Sequence, residues 1–141
     1  MTSPGGAEHS AAARPVEVPA DVEVRVRSMC LALPEVAVRI DESRSPRRSA
    51  AYSYDIRRRS FCLLVAVAGS TRRSVPLVVL RADPGEREAL LALGHPYFAP
   101  RGGRGRIGVL LSDATDWEET AELVIESYRT LAPRKLWAHL G

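Results

Sequence analysis

The stretch that most constrains this 141-residue chain runs from Asp83 to Asp113, DPGEREALLALGHPYFAPRGGRGRIGVLLSD. Asp83 can cap free N–H groups, Pro84 suits the first helical position, and Glu86 sits where a capping-box carboxylate belongs. Leu90 and Leu93 recur three apart, which predicts an apolar face, and Gly94 can take the left-handed turn that closes the helix. His95 to Pro100 then reads as a proline-bounded aromatic loop, Arg101-Gly102-Gly103-Arg104-Gly105-Arg106 as a basic turn, and Ile107 to Leu111 as a strand.

The remaining elements follow from the same signals. Val22, Val26, Met29, Cys30 and Leu33 form one apolar stripe on a helix opening at Asp21, which Pro34 ends. Val36 to Ile40 predicts a short strand, and Asp41 to Ser49 a polar loop. Ala51 to Ile56 alternates as a strand, Arg57-Arg58-Arg59 makes a turn, and Phe61 to Ala68 is apolar enough for a central strand. Gly69 to Ser74 turns the chain into Val75 to Leu80, where Pro76 predicts a sheet edge or a strand start. A final helix starts at Thr115 or Asp116 and buries Trp117, Ala121, Val124, Tyr128 and Leu131, with Pro133 as its stop and Arg134 to Trp137 as a tail. The expected fold is α+β, an antiparallel sheet of hairpin-connected strands with helices on one face. Residues 1–18, rich in Ala, Gly, Ser and Pro, predict a disordered tail, and residues 19–141 a single domain.

No apolar run is long enough to span a bilayer and no apolar signal core stands at the N-terminus, so a cytoplasmic protein is expected. Cys30 and Cys62 lack metal-type spacing and read as buried free thiols rather than a disulfide. The net charge of +3 conceals an uneven distribution. Residues 1–43 carry −3, residues 44–106 carry thirteen arginines against four acids, and residues 107–141 carry −3. A basic middle of this kind makes a local field that attracts polyanions. Nineteen of the twenty basic residues are arginine, which compositional bias alone would also produce.

The candidate phosphate-binding residues are the arginines at predicted turns: Arg47, Arg48, Arg57, Arg58, Arg59, Arg72, Arg73, Arg101, Arg104 and Arg106. Guanidinium groups bind phosphate bidentately, and the glycines beside Arg101, Arg104 and Arg106 permit close approach. Alternate turns of an antiparallel sheet point to opposite ends, so all ten cannot share one surface. The competing reading is a set of solvated turn charges. His95 reads as a loop residue beside Pro96, and no nucleophile–His–acid set assembles around Cys30 or Cys62. The arginine-glycine run leads into a strand and lacks a Gly-Lys-Ser/Thr ending, so it is no P-loop.

Cys30 to Val36, Ala82 to Leu91 and Tyr128 to Leu136 together resemble the MmcQ/YjbR-like family, in order and spacing, from about Val22 to Leu136. The resemblance implies an α+β fold with two strand hairpins as wings, similar to the frataxin fold, and DNA binding without catalysis or a cofactor. Departures stand at Ser43 to Arg48, where members carry a Trp-Gly pair, at Arg59-Ser60 in place of Gly-Lys, and at Gly108-Val109, where an aromatic often follows the glycine. Asp21, Glu23 and Glu35 do not make the acidic helix that a frataxin-like iron role requires. The expected partner is duplex DNA, held through phosphates and not at a membrane. The alternative is a small protein-interaction or ligand-binding domain with no nucleic-acid role.

Overall fold

A computed structural model describes residues 15–71 and 73–138. In chain order it contains α1 (Ala20–Leu31), β1 (Val36–Asp41), β2 (Ala51–Ile56), β3 (Arg59–Ala68), β4 (Ser74–Arg81), α2 (Pro84–Leu93), β5 (Tyr97–Phe98), β6 (Arg106–Leu110), α3 (Trp117–Leu131) and α4 (Arg134–Trp137). The strands form one six-stranded sheet in the order β1-β2-β3-β4-β6-β5, antiparallel throughout. The expected α+β architecture is therefore observed.

Strand alternation divides the sheet into two faces. Tyr54, Ile56, Cys62, Leu64, Val78, Leu80, Ile107 and Val109 point inward and join Val26 and Cys30 of α1, Leu90 of α2, and Val124 and Tyr128 of α3 in one core. The outer face carries a smaller apolar cluster centred on Ala51, Val65 and Leu77. Phe61 is the extra residue of a bulge opposite Tyr54 and packs edge-on against Tyr128, with ring centroids 5.5 Å apart. Cys30 and Cys62 are buried free thiols. The Cys30 hydrogen bond, together with burial, pushes the Cys62 thiol up.

Asp83 caps α2 by accepting from the Glu86 amide at 2.9 Å, and Gly94 closes it at φ +75°. Asp116 caps α3 by accepting from the Glu119 amide at 3.0 Å. Several expectations need correction. Leu93 is 70% exposed; α2 turns Leu90 and Leu91 to the core instead. Pro76 is on neither an edge nor a first position: β4 is internal, between β3 and β6. It is tolerated because the opposed Ala66 bonds Ser49 through both its amide and its carbonyl. Pro76 also faces the end of the β4–β6 ladder, where its carbonyl accepts from the Leu111 amide at 2.9 Å and its missing N–H falls beyond the last strand pair. The aromatic loop contains a two-residue edge strand, β5, where the Phe98 ring lies on Gly108; a Cβ there would sit 2.3 Å from the ring. Arg59 belongs to β3 rather than to the turn. The tail Arg134–Trp137 folds as α4, fixed by Trp137 donating to the Ala132 carbonyl at 3.0 Å and packing under Arg129 and Arg134. Residues 1–14 of the expected tail lie outside the described residues. The end of that expected tail is ordered against the domain: Val16 is buried, and the Glu17 amide donates to the Ser74 hydroxyl at 3.1 Å.

Candidate nucleic-acid interface

Antiparallel topology sorts the candidate arginines by the end of the sheet they occupy. Cys62 at the start of β3 pairs with Leu80 at the end of β4, and Arg106 at the start of β6 pairs with Arg81. The β2–β3 turn and the β5–β6 loop therefore lie at one end, and the Ala82 amide ties that loop to the exit of β4 through Gly105 at 3.0 Å. Six of the ten candidates collect there: Arg57, Arg58, Arg59, Arg101, Arg104 and Arg106. Arg47, Arg48 and Arg73 lie at the opposite end, where Arg48 bridges to Val67 and the Arg47 carbonyl accepts from Ala68. Arg72 lies outside the described residues.

The two ends differ in charge balance. Around Arg47, Arg48 and Arg73 stand Asp41, Glu42, Asp21 and Asp113; Arg48 and Arg39 help to lower the Asp41 pKa, after the Ser43 hydrogen bonds that lower it most. At the other end Arg57 pairs with Glu35 at 3.3 Å, and Asp83 and Glu86 stand at the start of α2, where Asp83 accepts the capping bond. Arg58, Arg59, Arg81, Arg87, Arg101, Arg104 and Arg106 have no ion-pair partner among the described residues.

Local structure shapes this basic end. The β2–β3 turn is a two-residue hairpin loop with Arg57 at φ 52° and Arg58 at φ 70°, the sign pattern of a type I′ turn. Gly102 and Gly105 take positive φ in the β5–β6 loop and so allow Arg101 and Arg104 to project from a tight reversal. Arg81 and Arg106 face each other across β4 and β6 on the outer face, since their neighbours Leu80 and Ile107 are in the core. Four further bonds fix this pair. Buried Ser127 of α3 donates to the Phe61 carbonyl and accepts from the Arg81 amide at 2.8 Å. The Arg81 guanidinium donates through Nε to the Ser60 carbonyl at 2.9 Å, and Arg87 donates to the Arg106 carbonyl at 2.7 Å. Burial, then the neighbouring Arg106 and Arg59, push the Arg81 pKa down. Turn chemistry did not reveal Arg81, Arg87 or Ser127, which lie within strands and helices; strand register was needed to see Arg81 opposite Arg106.

A cavity of about 310 Å³ lies away from this end, between the chain around His95 to Tyr97 and the start of α3. The Tyr97 hydroxyl donates to Glu119 at 2.8 Å; burial, then the Glu119 carboxylate, push its pKa up to about 12. His95 is an exposed loop residue at its rim.

Over residues 31–130 the sequence matches the family model described as YjbR, which is about seven-tenths of the chain. The chain belongs to the YjbR family. The matched span includes all six strands, α2 and most of α3, and it contains every arginine of the basic end. No curated protein and no solved structure matches. YjbR membership agrees with the resemblance and with the α+β fold, while the charge geometry belongs to this chain's own residues.

Proposed function

We propose that this YjbR-family protein binds duplex DNA without catalysis, in the cytoplasm, and grips phosphates with the basic end of its sheet. The carrying observation is the convergence of Arg58, Arg59, Arg81, Arg101, Arg104 and Arg106 at one end with no carboxylate paired to any of them among the described residues. Strand order sets the β2–β3 turn and the β5–β6 loop three strand spacings apart, roughly 14 Å at about 4.8 Å per strand. That span is comparable with the major-groove width of about 12 Å. The two turns act as wings, and the Arg81–Arg106 pair lies between them. Phosphate contacts of this kind position a protein without reading bases, so binding is independent of sequence.

The test is a fluorescence-anisotropy titration of the wild-type protein against unrelated duplexes at about 50 mM salt, where phosphate attraction is strong. Binding of all duplexes with similar affinity supports the reading. No binding to any of them ends it. The cavity beside Tyr97 favours a second reading, a ligand-binding domain, which that negative result would leave standing.

A further inference from the structure

Within the basic end, Arg81 and Arg106 are partly buried and so differ from the exposed Arg57, Arg58, Arg59, Arg101 and Arg104. Arg81 and Arg106 are directly opposed like charges, an arrangement that destabilises an antiparallel sheet. Neither has an ion-pair partner among the described residues. The Arg81 guanidinium is not free to swing away: its Nε is spent on the Ser60 carbonyl and its own amide is held by Ser127, so its terminal nitrogens are presented in a fixed orientation. Arg87 in turn holds the Arg106 backbone. Such a cluster carries an electrostatic cost in the free protein that an oxyanion would relieve.

We propose that Arg81 and Arg106 form a discrete phosphoryl-oxyanion site, in which the two guanidinium groups bind the oxygens of one phosphate group. It rests on the reading of this end as a phosphate-gripping surface, but its ligand is a single phosphoryl group, supplied by a nucleic-acid backbone or by a free phosphate compound. Arg81 provides the planar fork, Arg106 completes the charge, and Ser60 and Ser127 are positioning residues.

The experiment is thermal unfolding of the full chain with inorganic pyrophosphate, against sodium chloride at matched ionic strength. The proposal expects a saturable rise in Tm with pyrophosphate alone. Arg106→Gln, which keeps the backbone carbonyl that receives Arg87, should weaken pyrophosphate binding at least about tenfold, in line with removal of a charge-assisted hydrogen bond. Arg81→Lys should weaken it similarly, because a point charge replaces the fork. Arg47→Gln with Arg48→Gln, at the opposite end, should respond as wild type. Without anion, Arg106→Gln should be at least as stable as wild type, since it relieves a like-charge pair; a loss of stability would give Arg106 a structural role and overturn the proposal. So would a wild-type protein that does not distinguish pyrophosphate from chloride, or site variants that respond as wild type does. Displacement of labelled duplex by pyrophosphate identifies a backbone phosphate as the occupant. Pyrophosphate binding with no displacement, or with no duplex binding at all, identifies a free phosphoryl compound; in the last case the DNA reading fails and the site stands.

Discussion

Arg57 and Arg58 hold the two positions of the β2–β3 turn at positive φ, where Asn-Gly is the preferred pair. A left-handed conformation costs a residue with a Cβ about 1–2 kcal/mol. The tip therefore gives up stability to carry charge at the end of the sheet. Replacing Arg57-Arg58 with Asn-Gly should raise Tm by roughly 2–4 °C, as expected for about 1 kcal/mol in a domain of this size. The same change removes the Arg57–Glu35 pair, but that pair is half exposed and contributes little. Calorimetry paired with a duplex titration checks both halves: stability should rise while affinity falls. Tyr97 offers a second residue-scale test. Its folded pKa of about 12 lies above the ordinary value of 10.0, so the folded state holds the phenol proton more tightly. The associated stability is fully present below pH 10.0 and is lost as pH rises toward about 12. The stability difference between wild type and Tyr97→Phe should shrink over that window in urea titrations; a constant difference would show that the phenol proton is not what Glu119 holds.

Among the helices, α3 packs most extensively on the sheet and also holds the Arg81 backbone through Ser127. Its apolar periodicity was plain in the sequence, yet Trp117 and Tyr128 are not equivalent. Tyr128 is fully buried, stacks edge-on with Phe61 and donates to the Pro34 carbonyl at 2.8 Å, whereas Trp117 is half-buried at the first turn under Arg25. Tyr128→Ala should cost about 3–5 kcal/mol and Trp117→Ala less than about 2 kcal/mol, read from urea midpoints. The helix caps at Asp83 and Asp116 were equally legible, because capping is a local property of a few residues. What sequence could not supply was long-range register. The internal place of β4 despite Pro76, the edge strand at Tyr97–Phe98, and the opposition of Arg81 to Arg106 each depend on which strand lies beside which. Local patterns carry no information on that pairing.

Across the whole molecule, the +9 balance of residues 44–106 is split by topology rather than spread. Hairpin alternation sends Arg47, Arg48 and Arg73 to one end, with Asp41, Asp21 and Asp113 near them, and sends six candidate arginines to the other. The ends differ in the number of arginines, since Arg47, Arg48 and Arg73 are also without an ion pair among the described residues. A purely compositional excess of arginine would leave the two ends equivalent as DNA-binding surfaces. The measurement that separates these accounts is the salt dependence of duplex affinity for the wild type, for Arg58→Ser with Arg59→Ser and Arg104→Ser, and for Arg47→Ser with Arg48→Ser. Removing one arginine–phosphate interaction lowers the magnitude of the slope of log affinity against log salt by about 0.9. The account predicts a slope reduced by roughly 2–3 for the triple variant, with all duplex sequences weakened alike, and an unchanged slope for the double variant. Equal slopes for all three proteins, or the larger reduction in the double variant, would contradict it.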